Sequence, residues 1–321
     1  MNKNYLLFLL IALLAGCKGP APAPAPKVRD FPMVPVPALI SDPGERMEYA
    51  ATHYWDAFAD TSAVYLCDTA HIGGVDKDIV EKQVGTFATL LGGLGAAPAG
   101  RATAAVFDRL AACERKDTSS NIFDGVCALL TRYLYDPNSP VRNEDAYLPF
   151  VKKMSESDLV PESMRPAYAF DAKACGLNRT GTRAADFGFT DLQGKRHTLY
   201  AVTAPLTVLL FSNPGCPNCR EIMEVLTGDT MLRQAVGAGV VAVVNVYIDL
   251  EREKWAAYAK DYPKEWYNGY DHTYRIRTDM TYNIRAIPSL YLLGADKTVI
   301  LKDATIEKLM NTLYAMLQQA K

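Results

Sequence analysis

The chain has 321 residues, 49% of them hydrophobic and 22% charged, with a formal net charge of −2. That length suits about two domains, and the composition excludes global disorder and a collagen-like fibre. The near-neutral balance excludes a basic nucleic-acid-binding protein, so no nucleic acid is expected among the partners. Met1 to Asn4 carry Lys3 and no acid, Leu6 to Leu14 form an apolar core, and Ala15 and Gly16 are small. Charge, apolar stretch and small residues are the three parts of a secretory signal. The longest apolar run, Tyr5 to Gly16, is too short to span a bilayer, so no transmembrane helix is expected in the mature protein.

Residues 1–17 therefore read as an address. The tetrapeptide Leu14-Ala15-Gly16-Cys17 resembles the lipobox of bacterial lipoproteins. The resemblance implies that Cys17 is the lipidated mature N-terminus and that the protein is tethered in the cell envelope. With Lys18 rather than Asp following, it implies the outer membrane, and the expected location is there, facing the periplasm. Several acyl chains, at about 0.8 kcal/mol per buried methylene, are ample for anchoring. Residues 18–44 read as a Pro-rich linker, and the alternation Pro20-Ala21-Pro22-Ala23-Pro24-Ala25-Pro26 favours a polyproline spacer rising about 3.1 Å per residue.

Residues 45–175 have helical periodicity throughout, with no strand run between 75 and 175. Ile79, Gln83, Thr86, Phe87 and Leu90 fall at helical spacing, as do Val106, Leu110 and Cys113, and then Phe123, Cys127, Leu130 and Leu134. The expectation is a bundle of five or six helices. His53 and His71 are isolated and read as structural or exposed residues, and no metal site is expected. The period changes at Asn178-Arg179-Thr180-Gly181, which is expected to be a protease-accessible junction between two separately folding units.

Residues 176–321 alternate strand and helix. Ala185 to Lys195 read as strand, turn, strand; Leu206 to Phe211, apolar but for Thr207, reads as a strand buried on both faces of a sheet, and Val240 to Ile248 as a second buried strand. Residues 216–227 and 251–260 read as helices, 289–293 and 298–301 as a hairpin, and the last helix carries Ile306, Leu309, Met310, Leu313, Met316 and Leu317 on one face. The fold class is an α/β domain with helices on both sides of its sheet, preceded by a mainly α-helical domain.

Cys216-Pro217-Asn218-Cys219 stands where the first buried strand turns into a helix. A cysteine at a helix N-terminus faces unpaired N–H groups and the positive dipole end, both of which favour thiolate. Cys219 shares a face with Met223 and Leu226, so Cys216 reads as the exposed attacking sulfur and Cys219 as the buried resolving one. Two intervening residues let the pair close a disulfide, and Pro217 at the first helical position costs no hydrogen bond. Zinc would need a second Cys/His pair, and none lies at suitable spacing. A structural disulfide without turnover is the plainer alternative. Cys67, Cys113, Cys127 and Cys175 allow three pairings or burial as free thiols.

Ala286-Ile287-Pro288-Ser289 opens the strand expected beside the dithiol and resembles the cis-proline loop of the thioredoxin superfamily. Residues 181–303 resemble a thioredoxin-like domain of the ResA/TlpA type. The Ala185-Asp186-Phe187 segment, the dithiol, the approach Tyr282 to Pro288 and the strand Tyr291-Leu292-Leu293 all match. The 68 residues between Cys219 and Pro288 have room for the extra strand-helix element of that branch. The whole chain resembles envelope lipoproteins that join a helical domain of unknown function to this module. The resemblance implies a thiol-disulfide oxidoreductase whose redox-active disulfide is its only cofactor, with Ile287 and Pro288 in the substrate loop. It implies protein thiols and disulfides of the envelope as partners, a membrane redox partner, and a reductant's direction. The alternative is a binding or scaffold lipoprotein with the same fold as a platform. Three positions depart from the pattern: Leu210 and Ile222 stand where relatives hold acids, and Gly215 replaces an aromatic.

Overall fold

The computed structural model describes residues 25–319; Cys17 and the rest of the expected signal lie outside the described residues. α1 (Pro43–His53) begins where the Asp42 carboxylate accepts the Glu45 N–H at 2.8 Å. A short hairpin follows, β1 (His71–Ile72) and β2 (Val75–Asp76), and Asp76 then caps α2 (Lys77–Gly92). This hairpin interrupts the expected helical run, because two-residue strands leave no periodicity to read. α3 (Ala96–Lys116), α4 (Ile122–Tyr135), α5 (Glu144–Glu156) and α6 (Arg165–Cys175) complete the bundle. Its core gathers Trp55, Phe87, Leu110, Leu130 and Phe150. In α2 the buried face is Val80, Val84, Phe87, Ala88 and Leu91, while Ile79 is 37% exposed. The expected stripe is one residue out of phase because Ile79-Val80 and Leu90-Leu91 offer an apolar side chain in either phase.

Residues 27–31, expected to be linker, are part of this body. Lys27 N–H donates to Val64 O and its carbonyl accepts Leu66 N–H, both at 2.9 Å. The Arg29 guanidinium lies 3.6 Å from the Tyr65 ring centroid, and Phe31 packs on Trp55 and Phe58. The proline alternation stops at Pro26, and beyond it the backbone N–H groups and the two large side chains give the chain something to bind.

The second part runs β3 (Gly188–Thr190), β4 (Arg196–Thr198), β5 (Leu206–Phe211), α7 (Pro217–Gly228), α8 (Thr230–Gly237), β6 (Val241–Tyr247), α9 (Arg252–Tyr258), β7 (Tyr267–Tyr270), α10 (Arg275–Thr278), β8 (Ser289–Leu293), β9 (Val299–Leu301) and α11 (Ile306–Gln319). Seven strands form one mixed sheet in the order β4-β3-β7-β6-β5-β8-β9. β5 lies parallel to β6 and antiparallel to β8, and every residue of β5 and β6 is buried. One face, through Val208, Leu210, Val243 and Leu292, packs on Leu226 of α7, Leu232 of α8 and Leu309 and Leu313 of α11. The other, through Leu209, Phe211, Val244 and Tyr291, is covered by Phe187, Phe189, Leu199, Ile276 and Tyr282. Helices were expected there too. Phe187 and Tyr282 of irregular segments, Phe189 of β3, Leu199 and the single turn α10 fill that layer instead.

The junction is held at both ends. Asn178 donates from Nδ2 to Thr281 O at 2.9 Å and accepts the Ala185 N–H at 2.8 Å. Gly181 N–H donates to Val299 O, and Val299 N–H to Thr182 O, both at 2.8 Å. The backbone from 181 to 184 thus pairs beside β9, so it is not the accessible hinge expected from the change of period. A native tryptic digest followed by mass spectrometry should leave the bonds after Arg179 and Arg183 uncut until the protein unfolds. Early cleavage there would mean that the pairing is absent in solution.

Candidate functional site

β5 delivers the chain to Ser212-Asn213-Pro214-Gly215, and Gly215 turns into α7 at φ +77°, a conformation that side chains oppose. Cys216 is the N-cap of α7: its Sγ accepts the Cys219 N–H at 3.3 Å, and Pro217 occupies the first helical position. Pro217 and Asn218 are exposed, Cys216 is partly exposed, and Cys219 is 4% exposed. Asn213 N–H donates to Cys219 Sγ at 3.5 Å. Burial, the hydrogen bond with Cys216 and the negative charge on a Cys216 thiolate together push the Cys219 thiol up to about 12.

The Ile287–Pro288 peptide is cis, and the Ile287 carbonyl oxygen lies 3.7 Å from Cys216 Sγ. The structure therefore gathers Cys216, Pro217, Asn218, Cys219, Ile287 and Pro288 at one end of the sheet, because β5 and β8 are neighbours. A groove of about 330 Å³ lies beside the two sulfurs, lined by Pro214, Met223, Tyr258, Tyr262 and Pro263. Burial, with a smaller contribution from charge on Cys219, pushes the Tyr262 phenol up to about 12.

Residues 18–171 match the family described as a domain of unknown function (DUF5106), and residues 205–299 match a family described as thioredoxin-like. A thioredoxin-like protein from Bacteroides caccae is 32% identical in sequence and superposes with a TM-score of 0.76, over 90% of this chain and 99% of that one. The chain belongs to this family of two-part thioredoxin-like proteins. The C-terminal domain of an uncharacterized Bacteroides fragilis protein is 41% identical over 43% of this chain and 98% of its own, with a TM-score of 0.42. A thiol-disulfide oxidoreductase from Bacteroides fragilis is 19% identical over 42% of this chain and 99% of its own, with a TM-score of 0.37. No curated protein matches the sequence.

In this thioredoxin-like protein Leu210 is fully buried within the apolar layer, and Ile222 packs against the same layer. The buried polar groups at the ends of β5 and β6 are neutral instead. Ser212 Oγ donates to Asn245 Oδ1 at 2.5 Å, and Asn245 Nδ2 donates to Asn268 Oδ1 at 3.2 Å. Sequence reasoning missed this chain, since lone amides in apolar strands carry no spacing signal. It also missed the Asn213 side chain, which donates to Asp249, itself paired with Arg277. All six described cysteines are free. Cys113, Cys127 and Cys175 are buried, and burial pushes each of those thiols up.

Two outcomes follow from this geometry. Gly215→Ala should cost about 1–2 kcal/mol through its left-handed backbone alone, because an added Cβ would meet nothing nearer than 3.9 Å. An unchanged denaturation midpoint would show that the turn relaxes freely. Cys219 is raised from 9.0 to about 12 on folding, so its contribution to stability is complete below pH 9 and is lost as pH rises towards 12. The stability difference between the reduced protein and Cys219→Ser should accordingly shrink across that interval in denaturant titrations, and a flat difference would contradict the assignment.

Proposed function

We propose that this protein is an envelope-tethered thiol-disulfide oxidoreductase, anchored through lipidated Cys17 and working as a reductant. One observation carries the chemistry: a partly exposed Cys216 at the head of α7, 3.7 Å from Ile287 O, with Cys219 buried one turn behind it. The Cys216 thiolate attacks one sulfur of a substrate disulfide. The Cys216–substrate bond forms as the substrate S–S bond breaks, and the departing sulfur takes a proton from solvent. In the mixed disulfide Cys216 no longer carries charge, which removes one of the causes that hold the Cys219 proton. Cys219 then loses that proton and attacks Cys216 Sγ. The second substrate thiolate leaves and is protonated, and the dithiol has become a disulfide. Two electrons and two protons have passed to the substrate, and a membrane dithiol partner must return them.

Pro288 has no N–H and presents no competing donor to the sulfur. The backbone of Ile287 is left to pair with an incoming chain, and the groove beside Met223, Tyr258 and Tyr262 offers apolar surface to its side chains. The lipid anchor rests on Leu14 to Cys17 alone, and the choice of the outer membrane rests on Lys18.

The test is capture. Cys219→Ser should accumulate envelope proteins as mixed disulfides on Cys216, released by dithiothreitol, whereas Cys216→Ser should capture none. Iodoacetamide at neutral pH should modify Cys216 before Cys219 in the reduced protein. Absence of any mixed disulfide, or first alkylation at Cys219, would favour the platform reading or reverse the roles.

A further inference from the structure

The loop that carries Ile287 and Pro288 is gripped from behind by charges of the helical domain. Glu144, the first residue of α5, accepts Asn283 Nδ2 at 2.9 Å and Arg285 Nε at 2.8 Å, both on Oε1. Lys302 Nζ sits 2.8 Å from Glu144 Oε2 as a contact ion pair, while its aligned hydrogen bonds go to the Cys175 and Leu177 carbonyls. Arg285 Nη2 also donates to Asp303 Oδ2 at 3.1 Å, and Arg142 Nε reaches the same oxygen at 3.2 Å. Asp303 Oδ1 accepts Ser289 Oγ at 3.0 Å. The side chains of Glu144 and Lys302 are 2% exposed, those of Asp303, Arg285 and Arg142 10%, 11% and 14%.

Glue between two domains needs no such arrangement, since well-packed apolar residues would serve as well as buried ions. What fixed charges add is geometry, and here the geometry converges on one loop. Arg285 stands three residues before Pro288 and Ser289 one after it, so both stems are tied to the same cluster. Asp303 holds its carboxylate there from a left-handed backbone, φ +43°, unusual for a residue with a side chain. The tip between the stems is the Ile287 carbonyl at the dithiol.

We infer that the helical domain acts on the dithiol chemistry by bracing the substrate loop, with Glu144 and Arg142 as positioning residues for Ile287 and Pro288. This rests on the oxidoreductase reading. The domain of unknown function thereby gains a role in substrate binding. A substrate chain meets a loop already fixed in its pairing geometry and spends no binding free energy on ordering it. A small reagent that touches only the sulfur needs no such loop.

The experiment uses the full chain, reduced, with two readouts. One is exchange with a short synthetic peptide dimer joined by a disulfide, followed against peptide concentration. The other is the rate of Cys216 alkylation by iodoacetamide. In Glu144→Gln and Arg142→Gln, loss of a charge-assisted hydrogen bond should raise the half-saturating peptide concentration about tenfold. The maximal exchange rate and the alkylation rate should stay at wild-type values. Arg142 is the more exposed partner and leaves the Glu144–Arg285 bond in place, so its variant carries the test if Glu144→Gln fails to fold. Wild-type peptide kinetics in a folded Arg142→Gln and, where it folds, in Glu144→Gln overturn the brace while leaving the oxidoreductase reading intact. A parallel fall in alkylation also overturns it, since the cluster would then act on the dithiol itself. If the wild type exchanges with no peptide while Cys216 alkylates normally, the oxidoreductase reading fails and the brace fails with it.

Discussion

A sulfur atom takes the place of a capping oxygen at the head of α7, and the arrangement of the rest of the site depends on it. Cys216 Sγ accepts the Cys219 N–H, so the two cysteines of one helical turn are in contact through a backbone-to-sulfur hydrogen bond before any disulfide forms. That bond holds Cys216 at the surface end of the turn and leaves Cys219 buried inside, under the Asn213 N–H. Entry and resolution are thereby separated by position rather than by residue type. Any exchange at this dithiol has one accessible sulfur to begin on.

The sheet places this turn next to its second component. β5 ends in the dithiol and β8 begins at Ser289, and the antiparallel pairing of Phe211 with Ser289 brings the Ile287–Pro288 peptide alongside Cys216. The residues flanking that peptide are held from the other side by the helical domain, Glu144 binding Arg285 and Arg142 binding Asp303, which in turn accepts Ser289 Oγ. The helical part is therefore linked to the loop beside the dithiol through hydrogen bonds, and its placement is fixed by charges that would be costly to bury unpaired. The paired junction after α6 restricts the same relationship along the chain.

Much of this was legible in the sequence, for reasons that are local. The runs Leu206 to Phe211 and Val240 to Ile248 are apolar except at Thr207 and Asn245, a pattern suited to strands buried on both faces of a sheet. Cys216 to Cys219 could be placed on a helix start because Pro217 fits only there. β7 was not legible: Tyr267-Asn268-Gly269-Tyr270 is half polar and is a strand because β6 and β3 pair with it on either side. α8 and α10, at eight and four residues, are too short for their period to stand out. The cluster around Asp303 was invisible for a different reason. Its members come from residues 142–144, 283–289 and 302–304, and no spacing rule connects segments that meet only when the chain has folded. The docking of Arg29 and Phe31 was hidden in the same way, behind a proline pattern that ends a few residues earlier.

Cys216 and Cys219 should behave as one reversible two-electron couple. Equilibration of the full chain in glutathione buffers of graded potential, with acid quenching and mass spectrometry of the 216–219 peptide, tests it most directly. A single transition between dithiol and intramolecular disulfide is expected, with glutathione on Cys216 only when Cys219 is replaced by serine. Stable glutathionylation of Cys216 in the wild type, without resolution by Cys219, would contradict it.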